Sequence, residues 1–383
     1  MVNGIFYPHL SGVERKNEYV DTVTVVLFII GLALLIIGAE LLVRGASRLA
    51  AVMGISPLVI GLTVVAYGTS SPEMAVSMLA ALAGQADITL GNVVGSNILN
   101  VLLILGLSAL IAPLVVSRQL VRLEVPLMIG ISVLLFILAL DGHLTRVDGL
   151  ILFGGAMGYT IFAIRQSRKE NSELQEKATP ACVDTQPTPG KSISMQIVFI
   201  VVGLGLLVLG SHWLVNGAVA FAQLFGVSEL IIGLTIIAAG TSLPEVATSI
   251  IASIRGERDI AVGNVVGSNI LNILGVLGLS SLVSPHGVAV TPPALSFDIP
   301  VMIAVAIACL PVFFTGSRIT RWEGALFFAY YIAYTLYLTL DATQHDALPL
   351  LNWVMAAFVL PLTFVTLAVV VLQQVRIDRC RSL

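Results

Sequence analysis

Gly68-Thr69-Ser70-Ser71-Pro72-Glu73 sits inside an otherwise apolar stretch and returns, with one change, as Gly240-Thr241-Ser242-Leu243-Pro244-Glu245. Sliding the sequence along itself by 172 residues lays 54–113 on 226–285 without a gap, and 36 of the 60 pairs are identical. This is an internal duplication. Downstream of each first motif lies a ten-residue run with no differences between the copies: Gly91-Asn92-Val93-Val94-Gly95-Ser96-Asn97-Ile98-Leu99-Asn100, and Gly263 to Asn272.

The surrounding composition places both copies in a bilayer. Of 383 residues, 57% are hydrophobic and 11% charged, against roughly 25% charged in an average soluble domain. Apolar runs of about 20 residues, enough to cross a hydrocarbon core of about 30 Å, recur along the chain. With Pro, Gly and charge as punctuation, spans fall near 22–43, 57–83, 88–112, 123–140 and 147–165, then 194–217, 229–254, 260–284, 295–315 and 322–340, with an eleventh near 350–373. The expected domains are an extracytoplasmic tail (1–21), a first half (22–165), a flexible cytoplasmic linker (166–193), a second half (194–340), and an additional span with a cytoplasmic tail (341–383). Five spans per half is an odd number, so the second copy enters the membrane from the opposite side. The expected fold is an all-α polytopic membrane protein of two inverted five-helix repeats with broken core helices. That construction is common in secondary transporters.

Basic residues set the orientation. Sixteen of the 19 Lys and Arg fall on the side of the linker and the C-terminus, and only Arg15, Lys16 and Arg146 on the other. The N-terminus is therefore expected outside and the C-terminus in the cytoplasm, in a cytoplasmic (inner) membrane. No removable signal peptide is expected in the polar first 20 residues. No basic stripe supports nucleic-acid binding. The three cysteines, Cys182, Cys309 and Cys380, show neither metal nor disulfide spacing. Pro189-Gly190-Lys191-Ser192 resembles the tail of a phosphate-binding loop, but Thr185 stands where its first Gly belongs.

Glu73 and Glu245 carry the chemistry. An ionisable side chain near the bilayer centre costs at least about 2.5–3.5 kcal/mol and persists where it has a partner. Neither motif contains Lys or Arg, so a cation from solution is the natural counter-charge. Pro72 and Pro244 lack an N–H, which frees the carbonyls of Gly68 and Gly240 from the helical ladder and makes them candidate ligands. The hydroxyls of Thr69, Ser70, Thr241 and Ser242 add oxygen. Ser96 and Asn100, like Ser268 and Asn272, lie four apart and share a helix face. Carboxylate, amide, hydroxyl and backbone oxygens without Cys or His favour hard cations, and flexible coordination by 6–8 oxygens suits Ca²⁺ better than Mg²⁺. Two carboxylates balance one Ca²⁺ or two Na⁺, the electrostatic condition for competitive exchange. Proton-coupled Ca²⁺ export through the same glutamates is a second reading. An intramembrane hydrolase with Ser70 or Ser242 as nucleophile lacks a His or Lys base in either motif span.

The duplicated motifs resemble the α-repeats of the cation/Ca²⁺ exchanger superfamily, in particular its prokaryotic and animal Na⁺/Ca²⁺ exchanger branch, over residues 22 to about 340. The H⁺/Ca²⁺ branch usually carries Gly-Asn-Ala-x-Glu instead. The resemblance implies an antiporter with Ca²⁺ and Na⁺ as substrates and no resident cofactor. It implies a central site on Glu73 and Glu245, with backbone oxygens from Thr69 and Thr241. Ser70, Ser242, Ser96, Ser268 and the carbonyls of Ala66 and Ala238 would line flanking Na⁺ sites, and Asn100 and Asn272 would complete the ring. An acid at the position of Asn272 accompanies K⁺ use in one branch, so Asn there argues against K⁺ coupling. The first span of each half would slide across the core to alternate access, with Gly31, Gly38, Gly203, Gly205 and Gly210 suited to that contact. Glu40 and His212, equivalent in the two copies, are expected to be solvated near span ends.

Overall fold

The computed structural model describes residues 22–177, 189–314, 318–364 and 368. Its helices, in chain order, are α1 (Thr22–Met53), α2 (Pro57–Thr69), α3 (Ser71–Leu82), α4 (Ala86–Ile111), α5 (Leu120–Asp141), α6 (Arg146–Lys177) and α7 (Pro189–Leu224). They continue with α8 (229–240), α9 (Leu243–Arg255), α10 (Arg258–Val283), α11 (Ala294–Phe313), α12 (Arg321–Ala342) and α13 (Leu348–Phe364). Eight of these are long and apolar enough to cross a membrane. The pairs α2–α3 and α8–α9 occupy the two spans expected to be broken, and the shorter α13 occupies the expected eleventh.

The first half of each core span opens after a glycine in the left-handed region, Gly54 (φ 61°) and Gly226 (φ 74°), and the second half closes on Gly84 (φ 72°) and Gly256 (φ 81°). A residue with a Cβ is strained there, so the turns recur in both copies where the glycines recur. Between them the helix widens into a π-helical stretch at Gly61–Val65 and Gly233–Ile237. Such widening is frequent at functional sites. The ladder then breaks at Ser70 (ψ 8°) and Ser242 (ψ 4°). Pro72 and Pro244 stand in the first turn of the next helix, where a missing N–H is harmless.

The most apolar stretch of α10 is wholly buried and that of α4 largely so. Glycines bring the halves together there: a Cβ on Gly263 would meet the carbonyl of Leu58 at 2.7 Å, and one on Gly267 would meet Leu62 Cα at 2.6 Å. Outside this core, α1 and α7 lie against each other along a glycine stripe. A Cβ on Gly31 would stand 2.9 Å from Gly210 O, on Gly38 2.8 Å from Gly203 O, and on Gly45 3.0 Å from Gln196 O. Partner numbers fall as these rise, so the two equivalent helices run antiparallel. The inversion inferred from the odd span count is therefore visible in this contact.

Three readings of the sequence need correction. The stripe glycines seat α1 on α7, not on the core of broken helices, and around Gly205 a Cβ would meet nothing within 4 Å. The core is approached instead by side chains of α7: Leu204 at Gly68 and Val215 at Gly240. Glu40 is not simply solvated: it pairs with Arg44 one turn on, and with Arg255 of α9 through Oε2–Nε (2.8 Å) and Oε1–Nη2 (2.7 Å). The expected linker also begins later, because α6 runs to Lys177 and α7 opens at Pro189, the residue that headed the loop-like motif. His212 is exposed, in hydrogen-bond contact with Asn216. The terminal tails and the segment 178–188 lie outside the described residues.

Two short antiparallel pairings tie the halves at opposite ends: β1 (Leu114–Val115) with β4 (Arg318–Ile319), and β2 (His143–Leu144) with β3 (Val288–Ala289). Each joins two loops that the span count assigns to the same side of the membrane.

Candidate functional site

The two breaks face each other across the centre of the molecule. Ser70, at the first break, donates its hydroxyl to Glu245 Oε1 at 2.9 Å, and Ser242, at the second, donates to Glu73 Oε1 at 2.8 Å. Each glutamate sits in the first turn of its helix, 1% exposed. The site is thus built crosswise, each repeat supplying the hydroxyl for the other's carboxylate.

The threonines cross in the same way. Thr69 Oγ1 donates to Asn264 Oδ1 at 3.1 Å, and Thr241 Oγ1 to Asn92 Oδ1 at 3.2 Å. These asparagines are anchored at their other end, Asn92 Nδ2 to Ser77 Oγ (2.8 Å) and Asn264 Nδ2 to Ser249 Oγ (3.0 Å). Ser96 lies within 3.0 Å of the Ser242 hydroxyl, whereas Ser268 Oγ is buried with no hydrogen-bond partner. Asn100 and Asn272 stand one turn beyond Ser96 and Ser268, at the start of π-helical stretches (Asn100–Leu105, Asn272–Leu277). The Ala66 carbonyl accepts the Ser70 amide at 2.9 Å, and Ala238 begins the last helical turn before the second break.

One expectation changes at the breaks. The carbonyls that proline releases do not stand open: Gly68 O accepts the Ser71 hydroxyl at 2.7 Å, and Gly240 O accepts the Ser211 hydroxyl from α7, also at 2.7 Å. In each copy a nearby hydroxyl takes the place of the missing N–H; at Gly240, where the contact is buried, leaving the carbonyl unpaired would be expensive.

What remains without a partner is informative. Oε2 of both Glu73 and Glu245 and Oδ1 of both Asn100 and Asn272 are buried and accept no hydrogen bond. Among the described residues neither glutamate has a basic partner. Buried polar oxygens are ordinarily paired, and a buried carboxylate left alone costs several kcal/mol. A group of acceptors with no donor among them suits a cation, and because no cluster of three or more His, Cys, Asp or Glu occurs among the described residues, neutral oxygens would supply most of its shell. Sequence reasoning passed over Asn92, Asn264, Ser77 and Ser249, although all four recur at the 172-residue spacing.

Comparison with known proteins agrees with this geometry. The family model described as sodium/calcium exchanger protein matches residues 23–165 and 195–340. The chain is 40% identical over 321 residues to the putative antiporter CaxA of Alkalimonas amylolytica, covering 82% of this chain and 97% of that one. It is 33% identical over 348 residues to the sodium/calcium exchanger MaX1 of Methanosarcina acetivorans, covering 83% and 99% respectively. It is 41% identical over 287 residues to the inner membrane protein YrbG of Escherichia coli, covering 74% and 87%. A structure of the sodium-calcium exchanger NCX_Mj soaked with Na⁺ and Ca²⁺ superposes with a TM-score of 0.69 at 31% identity, covering 82% of this chain and 97% of that chain. With two inverted repeats crossing at paired glutamates, and with matches through both halves, the chain is a membrane protein that belongs to the sodium/calcium exchanger family.

Proposed function

We propose that the protein exchanges Ca²⁺ for Na⁺ by alternating access, with Glu73 and Glu245 as the shared central ligands. The observation that carries this is the set of four buried, unpartnered acceptors: two carboxylate and two amide oxygens. Two carboxylates match the charge of one Ca²⁺ or two Na⁺, so occupancy by one ion excludes the other, and exchange follows from competition. Ser70, Ser242, Ser96 and Ser268, with backbone oxygens of Thr69, Thr241, Ala66 and Ala238, would serve the flanking Na⁺ sites, and Asn100 and Asn272 would complete the ring. The ions are substrates, and no resident cofactor enters the scheme.

The α1–α7 pair is the moving part in this reading. It is seated on itself by backbone contact and meets the breaks through side chains such as Leu204, Val215 and Ser211. The membrane is the cytoplasmic one, with the N-terminus outside and the C-terminus inside, as the basic residues and the inner-membrane name of one relative suggest.

The test is ion coupling in proteoliposomes. A Na⁺ gradient imposed with the pH clamped on both sides should drive ⁴⁵Ca²⁺ uptake. Uptake that follows only an imposed pH gradient would contradict the Na⁺ reading and favour proton coupling through the same glutamates.

A further inference from the structure

Two asparagines outside the ligand set, Asn97 and Asn269, are 2% and 3% exposed. A primary amide has a donor end and an acceptor end, so beside a cation its direction decides whether it attracts or repels. Asn97 Nδ2 lies 3.5 Å from Met302 Sδ and 3.3 Å from the backbone carbonyl oxygen of Asn269, and Asn269 Nδ2 lies 3.4 Å from Met128 Sδ. A thioether sulfur only accepts. The NH₂ end of each asparagine is therefore held toward its methionine, and its Oδ1 points the other way.

On that other side, Asn272 Nδ2 donates to Asn97 Oδ1 at 3.1 Å and Asn100 Nδ2 donates to Asn269 Oδ1 at 3.1 Å. With their donor ends engaged, Asn100 and Asn272 keep only Oδ1, buried and unpartnered in both. The methionines are repeat equivalents: past the loop after the identical run the offset widens from 172 to 174, as the π-helical stretches Leu120–Glu124 and Ala294–Asp298 show, and 174 carries Met128 onto Met302. The same relay is therefore built twice, once in each repeat, from equivalent positions on α5 and α11.

We propose that Asn97 and Asn269, backed by Met302 and Met128, are positioning residues that hold Asn272 and Asn100 with their carbonyl oxygens toward the cation. The location of the cation rests on the exchange reading above. The relay keeps two neutral ligands acceptor-only, so the site holds its −2 charge without an amide N–H turned against the ion.

The experiment is equilibrium ⁴⁵Ca²⁺ binding to the purified full-length protein, with melting temperature measured in parallel. Asn97→Leu frees the Asn272 amide to turn, and affinity should fall by up to about tenfold, the upper end of what a neutral hydrogen bond contributes. An aspartate presents oxygen at either rotation, so Asn97→Leu in an Asn272→Asp background should bind within about threefold of Asn272→Asp alone, inside the scatter of a neutral change. Met302→Leu conserves volume and removes only the sulfur acceptor. It should weaken binding roughly two- to threefold, and it is the readout if Asn97→Leu does not fold.

Unchanged affinity in Asn97→Leu overturns the inference. So does an equal loss in the aspartate background, which would mark Asn97 as packing alone, or an unaffected Met302→Leu where Asn97→Leu does not fold. Wild-type protein that binds no Ca²⁺ overturns the exchange reading itself, and the relay's role with it.

Discussion

Ser70 and Glu245 are 175 residues apart in sequence and 2.9 Å apart in space, and Ser242 repeats the relationship with Glu73 at 2.8 Å. Neither half can therefore build a binding site alone. Each carboxylate has one oxygen held by the opposite repeat and one that is buried without a hydrogen-bond partner.

The crossed hydroxyls are expected to tune affinity. Ser70→Ala and Ser242→Ala each remove a hydrogen bond to a charged acceptor, worth about 1.5–3 kcal/mol, so the apparent KM for Ca²⁺ should rise by roughly tenfold or more. Initial rates of ⁴⁵Ca²⁺ uptake measure this. Because Ser70 reports on Glu245, the effects of Ser70→Ala and Glu245→Gln should be strongly non-additive.

The glycine stripe gives a contrast within a single helix. Gly203→Ala places a Cβ 2.8 Å from the Gly38 carbonyl, whereas Gly205→Ala meets nothing within 4 Å. The first should lower the melting temperature and impair transport. The second should leave both near wild type, and a similar loss in the two variants would contradict the seating of α1 on α7.

Glu40 links α1 to the core helix α9 through Arg255. With the arginine side chain half exposed, the pair is worth at most about 1 kcal/mol after screening. Glu40→Gln should change the exchange rate by roughly two- to fivefold, with less effect at high ionic strength, and little further change is expected when it is combined with Arg255→Gln. Transport rates across a salt series check this.

Topology can be read chemically. In a background without native cysteines, His143→Cys should react with a membrane-impermeant maleimide from outside. Arg318→Cys should react only after permeabilisation. The reverse pattern would invert the orientation derived from the basic residues.

Much of this was legible before any coordinates, because a duplicated run with a fixed offset constrains both halves at once. The broken helices followed from Pro72 and Pro244, and the ligand candidates from acids and amides in apolar surroundings. What lay beyond the sequence was pairing across the halves. Ser211 gave no sign that its hydroxyl caps Gly240, since the two meet only when α7 packs on the second break. The glycines of α1 advertised close contact, but with the core as the expected partner, whereas the stripe meets α7. Residues 166–177 read as linker by polarity, yet the Glu, Gln, Leu and Lys among them are good helix formers, and α6 continues through them. Asn97 and Asn269 stood inside an identical run, but their partners, Met128 and Met302, lie in the next helix beyond a loop where the offset shifts from 172 to 174, so an ungapped alignment leaves them unpaired.

The most direct test of the central claim is Na⁺-driven ⁴⁵Ca²⁺ uptake, comparing wild type with Glu73→Gln and Glu245→Gln in proteoliposomes of matched protein content. Uptake in wild type that requires internal Na⁺ and is lost in both variants is the predicted result. Uptake that persists in either glutamine variant at the wild-type rate would contradict a shared central site.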